Sequence, residues 1–187
     1  MSIRCFVAVE CGGDELAAKF TEVRRILEAT RADVKFVEPE NVHLTLKFLG
    51  EIMPSLVEQV SQAVKETGFQ PFSARLEGVG VFPNLRRPRV VWAGISDGVS
   101  QLVEVWKDVD TKLSRLGFER EKRGFSPHIT IGRVRSGRNR DRLIEELSTL
   151  SDYVFGDLHV DRVALKKSVL TPSGPIYTTL AESAVDR

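Results

Sequence analysis

Cysteine is nearly missing from this 187-residue chain: Cys5 and Cys11 are the only two, too few for a disulfide framework. Cys5 alternates with Val7 and Val9 and reads as a small buried apolar residue, and neither thiol is a metal-site candidate. Long apolar runs are absent as well. No segment reaches the roughly 18 consecutive apolar residues of a membrane span, and Met1 to Val9 lacks the charged and apolar regions of a signal peptide. These absences lead us to expect a cytoplasmic protein with no membrane contact. An excess of one charge is also missing. The 27 Lys and Arg against 26 Asp and Glu leave a net charge of +1, so any attraction for nucleic acid must come from a local patch. What is there is ordinary globular composition, 42% hydrophobic and 28% charged, and a length that suits a single domain over residues 1–187.

Strand and helix patterns alternate along the chain. Ile3 to Glu10 is β-rich, and Asp14 to Ala29 sets Leu16, Phe20, Val23 and Leu27 at helical spacing behind an Asp cap. A strand over Val42 to Leu49 follows, then a helix after Pro54 and a strand over Phe72 to Val81. The cycle restarts with a strand over Val90 to Ile95, a helix over Val99 to Leu116, a strand over His128 to Val134 and a helix over Asp141 to Leu150. Tyr153 to Val160, Val163 to Leu170 and Ile176 to Ala181 supply the last strands. His43 and His128 each open the strand between the two helices of their half, and the next helix begins near Pro54 and near Arg138, at almost equal offsets. The halves read as diverged copies of one unit. The expected fold is α+β and bilobal, a pseudo-twofold duplication with two mainly antiparallel sheets lining a central cleft and helices outside.

The chemistry rests on two segments, V-H-L-T-L-K-F-L-G (Val42 to Gly50) and P-H-I-T-I-G-R-V (Pro127 to Val134). Strand alternation places His43 with Thr45, and His128 with Thr130, on one face, with Leu44, Leu46, Ile129 and Ile131 behind them. A histidine titrates near neutral pH, so a pair can serve as proton donor and acceptor at once. For a cyclic phosphodiester, the base activates water while the acid protonates the departing ribose oxygen on the far side of phosphorus. The threonine hydroxyls suit the non-bridging oxygens. A lone strand histidine is usually structural, but two of the chain's three histidines share the same threonine spacing and apolar setting. His159, in D-L-H-V-D, lacks that context and receives no chemistry. No carboxylate-rich ligand set accompanies the histidines, so neither metal nor cofactor is expected.

The paired H-x-T-x segments resemble the signature of the 2H phosphoesterase superfamily. H-L-T-L-K-F-L-G (His43 to Gly50) and F-S-P-H-I-T-I-G-R (Phe125 to Arg133) are similar to the RNA 2′,3′-cyclic phosphodiesterases once named 2′-5′ RNA ligases. R-C-F-V-A-V-E (Arg4 to Glu10) and S-V-L-T-P-S-G-P-I-Y (Ser168 to Tyr177) extend the resemblance over nearly the whole chain. It implies hydrolysis of an RNA-terminal 2′,3′-cyclic phosphate to a 2′-phosphomonoester, with weak reversible 2′-5′ joining of RNA ends. It further implies His43 as general acid, His128 as general base, and Thr45 and Thr130 as phosphate ligands. In similar proteins an aromatic or cationic group lies near the substrate five residues after each histidine, where this chain has Phe48 and Arg133. Strict alternation points both away from the imidazoles unless the strand bulges, which Gly132 favours for Arg133; Phe48 as a core residue stays open. Lys47 shares parity with His43 and is a further substrate-binding candidate, against the commoner fate of a solvated lysine.

Three basic clusters offer contacts for RNA phosphates: Arg86, Arg87 and Arg89; Arg120, Lys122 and Arg123; and Arg133, Arg135, Arg138, Arg140 and Arg142. The alternative for each is an ordinary solvated loop. The expected partners are RNA ends or nucleotides carrying a 2′,3′-cyclic phosphate, and the expected state is a monomer. Two other functional classes stand beside this one: a 2H phosphoesterase for small cyclic nucleotides or 2′-5′ oligonucleotides, and a non-catalytic RNA-binding module.

Overall fold

Two half-sheets meet along one line in the computed structural model, which describes residues 2–183. Met1 and residues 184–187, part of the single domain expected from sequence, lie outside the described residues. The elements in chain order are β1 (Ile3–Glu10), α1 (Asp14–Ala29), β2 (Val34–Phe36), β3 (His43–Ile52), α2 (Pro54–Lys65), β4 (Phe72–Phe82) and β5 (Val90–Asp97). They continue with α3 (Val99–Ser114), β6 (Ile129–Val134), α4 (Arg140–Thr149), β7 (Val154–Val160), β8 (Ala164–Thr171) and β9 (Gly174–Glu182). Sequence periodicity anticipates every long element and misses only β2 and a 3-10 turn at Pro39–Asn41, both too short to show a period. Asp14 is the first helical residue of α1; the capping position is Gly13, with no side-chain cap bond.

The strand order is β7-β4-β5-β6-β3-β1-β8-β9, with β2 paired to β6 off this path. The pairings are antiparallel throughout. The two expected sheets are therefore halves of one nine-stranded sheet, joined between β3 and β6 at the single pair Leu44 and Ile129. A pseudo-twofold relation about that joint is visible in the order itself, since β3, β1 and β8 on one side answer β6, β5 and β4 on the other. The lobes are not the contiguous halves of the chain, however. β4 of the first half pairs with β5 of the second, and β8, which follows the second half, pairs back onto β1.

The helices cross over in the same way. α1 packs on β7 beside α4, with Phe20 and Phe155 rings 4.7 Å apart, whereas α3 packs on β3 and beside α2. Leu16, Phe20, Val23 and Leu27 of α1 are buried as their spacing predicts, and so are Leu102, Trp106, Val109 and Leu113 of α3. Cys5, Val7 and Val9 point into this core with the helices. The opposite face of β1, β3, β5 and β6 is left for the cleft.

Candidate active site

The Leu44 and Ile129 pair decides the geometry of the site. Both side chains are fully buried, so their strand neighbours His43, Thr45 and Thr130, with His128 just before β6, fall on the other face. Antiparallel register, continued one residue each way from that pair, sets His43 opposite Thr130 and Thr45 opposite His128. On that continued register the four motif residues fall at the corners of a square, with the imidazoles on one diagonal. In an antiparallel ladder that diagonal is about 7–8 Å, a span filled by one phosphate group and its hydrogen bonds.

Each imidazole is held the same way. His43 Nδ1 lies 2.6 Å from the Asn41 carbonyl oxygen and His128 Nδ1 lies 2.8 Å from that of Ser126. A carbonyl only accepts, so both Nδ1 atoms carry the hydrogen and both Nε2 atoms are left for the cleft. Aromatic rings fix the planes. Phe6 and Tyr177 stand 4.8 and 5.3 Å from the His43 ring, and Phe82 stands 4.9 Å from His128. Phe82 in turn leans on Trp92 at 5.1 Å. Gly80 makes room for that indole, because a Cβ there would sit 2.3 Å from the Trp92 ring. Sequence reading missed these supports: Phe6 lies in an unbroken apolar run, where alternation cannot say which face is the cleft.

Burial pushes the His43 pKa below its ordinary value, the hydrogen bond to Asn41 opposes that, Lys166 adds to the lowering, and Glu10 opposes it. Lys166 and Glu10 form an ion pair beside His43, and Lys166 also donates to Thr179 Oγ1 at 2.8 Å. An open cavity of about 700 Å³ adjoins His43, lined in part by Glu10, Asn41, Lys166 and Tyr177.

Two bulges re-aim the residues beyond the histidines. Opposite β1, Ala8 pairs with Thr45 but Val7 pairs with Lys47, so Leu46 is an extra residue and alternation flips. Lys47 therefore faces the helices. Its Nζ donates to Asp110 Oδ1 of α3 at 2.5 Å and to the Glu119 carbonyl at 2.7 Å, with only 10% of the side chain exposed. The expectation that Lys47 shares the histidine face is corrected: it is a structural lysine. The same flip brings Phe48 opposite Phe6, at 6.2 Å between rings, with 68% of its surface exposed on the cleft side. A core role for Phe48 is thereby excluded. In β6 the extra residue is Ile131, at the equivalent offset from His128, since Trp92 pairs with Thr130 and Val91 with Gly132. Arg133 accordingly turns to the cleft face. Its charge, with that of Arg4, counters the rise that burial imposes on the Tyr177 hydroxyl pKa.

Of the basic clusters, Arg86, Arg87 and Arg89 are exposed, whereas Arg120 is bound to Asp110 and Thr111 and Lys122 to Glu119. His159 is exposed on β7, away from both motifs. Among the described residues, no group of three or more His, Cys, Asp or Glu is placed to hold a metal ion.

Both repeats of this arrangement match one family profile, LigT like phosphoesterase, over residues 12–92 and 94–177. The chain belongs to the LigT-like phosphoesterase family. An RNA 2′,3′-cyclic phosphodiesterase of Methanothermobacter thermautotrophicus is 39% identical over 182 residues, covering 96% of this chain and 97% of that protein. Another, from Archaeoglobus fulgidus, is 40% identical over 95% of this chain and 98% of its own length. A Thermus thermophilus crystal structure superposes with a TM-score of 0.79 at 28% identity, covering 96% of each chain. Escherichia coli LigT in complex with 3′-AMP shares the fold with a TM-score of 0.76 at 22% identity over the whole of both chains.

Proposed function

We propose that this LigT-like phosphoesterase is an RNA 2′,3′-cyclic phosphodiesterase that opens a terminal cyclic phosphate to a 2′-phosphomonoester. The curated relatives named for that activity span nearly its entire length. The mechanism is supported by the two imidazoles, each tied through Nδ1 to a backbone carbonyl so that Nε2 is left free, on segments joined at the Leu44 and Ile129 pair. His128 takes a proton from water as the oxygen bonds to phosphorus, and the P–O3′ bond breaks while His43 delivers a proton to O3′. Each proton transfer is worth roughly 10² to 10⁴ in rate. Thr45 and Thr130, on the other diagonal, donate to the non-bridging oxygens. Weak 2′-5′ joining follows the same course with a 5′-hydroxyl in place of water: His128 takes its proton, O5′ bonds to phosphorus, and the P–O3′ bond breaks as His43 protonates O3′. Cleavage of the 2′-5′ bond runs backwards and exchanges the histidine roles.

Burial favours a neutral His43 in the free protein. The acid role is recovered on binding, because the anionic phosphate stabilises the imidazolium. Phe48 offers an exposed ring for a base and Arg133 a charge for the phosphate. Both motifs lie in one chain, so a single domain acting as a monomer is sufficient, and RNA ends as substrate imply a cytoplasmic setting.

The test is direct. Purified protein, with chelator present, is given an RNA ending in a 2′,3′-cyclic phosphate. The expected product is the 2′-phosphate at an undiminished rate; a 3′-phosphate product, or loss of turnover in chelator, would overturn the reading.

A further inference from the structure

β2, the short strand invisible in the sequence, places a charge next to the cleft. Its Lys35 pairs directly with Arg133 of β6, flanked by Val34 with Val134 and Phe36 with Gly132. Val34 and Phe36 point to the helix side: a Cβ on Gly132 would meet both of them, and Arg24 of α1 lies over the Phe36 ring at 5.5 Å. Alternation therefore turns Lys35, which is exposed, onto the cleft face beside Arg133. Two like charges directly opposite across a ladder repel. Neither has an ion-pair partner among the described residues.

The surroundings deepen the asymmetry. An open groove of about 750 Å³ runs around the free edge of β2, lined by Arg31, Lys35, Arg135 and Arg138 among others. Its two carboxylates, Glu28 and Glu38, are both taken by Arg24. The other four cations have no ion-pair partner among the described residues. Such a surface attracts anions, and it begins two ladder steps beyond Thr130 once the bulge at Ile131 is discounted, about 7 Å along β6. That is about one nucleotide along an extended strand.

We propose that Lys35, with Arg31, Arg135 and Arg138, forms a track for the phosphodiesters upstream of the reacting terminal nucleotide, selecting RNA ends over mononucleotides. The inference rests on the cyclic phosphodiesterase reading for its direction, since the reacting phosphate sits between His43 and His128 and the rest of the strand must leave the cleft. Contacts of this kind are made to backbone phosphates, so they hold RNA of any sequence. Single-stranded substrate is required, because the track continues a cleft that grips an unpaired end.

The experiment compares an RNA oligomer ending in a 2′,3′-cyclic phosphate with the mononucleotide 2′,3′-cyclic phosphate. In Lys35→Ala the ratio of kcat/KM for oligomer over mononucleotide should fall about 5- to 10-fold, through KM. The salt dependence of log kcat/KM for the oligomer should flatten by about 0.7 per charge removed. Lys35→Arg should restore both, and Lys35→Glu should exceed the alanine loss. An unchanged ratio in Lys35→Ala and Lys35→Glu overturns the track. Binding of a labelled RNA oligomer with an ordinary 3′-hydroxyl end is measured in parallel. If the wild type cleaves neither cyclic substrate, the functional reading fails on its own, and the binding arm decides the track: equal Kd and salt slope for wild type and Lys35→Glu reject it.

Discussion

His43 and His128 are alike in motif, in the carbonyl that fixes Nδ1 and in aromatic packing, and burial presses the His43 pKa downward. Replacing either by Ala removes one proton transfer, and kcat/KM should fall roughly 10²- to 10⁴-fold with the melting temperature little changed. The pH profile carries a sharper expectation. An acid with a depressed pKa loses its proton early, so the basic limb of kcat/KM, which reports free protein, should lie below that of kcat, where the bound anion restores the proton. Superimposed basic limbs would remove His43 from the acid role. The same depression acts on stability: a neutral buried His43 favours folding above the unfolded-state pKa near 6.5, and that contribution is lost as pH falls below it toward the folded value.

Among elements, β3 does the most, and it does two things within three residues. Thr45 faces the cleft; two positions on, the bulge at Leu46 sends Lys47 through to Asp110 of α3 and the Glu119 carbonyl. Asp110 also accepts from Arg120, so the segment leading toward His128 is tied to the strand that bears His43. Burial alone would raise the Asp110 carboxyl, but the hydrogen bonds from Lys47 and Arg120 hold it below the usual carboxylate range. Its contribution is present above the unfolded pKa and is lost as pH falls through the folded one. Asp110→Ala strands a buried lysine and should cost about 3–5 kcal/mol in denaturant unfolding. The double change Lys47→Met with Asp110→Leu should recover most of it. A single-variant loss below about 1 kcal/mol would show the pair to be no more than a surface bridge.

At the scale of the molecule, the two halves of the chain are interleaved. α1 of the first half covers β7 of the second, β4 crosses to pair with β5, and β8 returns to β1. Neither half can bury its core alone. Unfolding should therefore be one transition, with tryptophan fluorescence from Trp92 and Trp106 coinciding with far-ultraviolet circular dichroism. Phe155→Ala, at the contact between α1 and β7, should cost about 3–5 kcal/mol and still leave a single transition. Two separated transitions would contradict the interleaving.

Local pattern determined a great deal here. Helical spacing in α1 and α3, alternation in β3 and β6, and the repeated histidine and threonine spacing all state which face is apolar, and burial of that face is the main driving force. Those residues therefore had one place to go. Tertiary structure alone decided the rest. The bulges at Leu46 and Ile131 exist because a neighbouring strand pairs around them, and they exchanged the expected places of Lys47 and Phe48. The crossing of β4 and β8, the aromatic supports of the imidazoles and the pairing of Lys35 with Arg133 depend on partners far away in the chain, and no local period encodes such a contact.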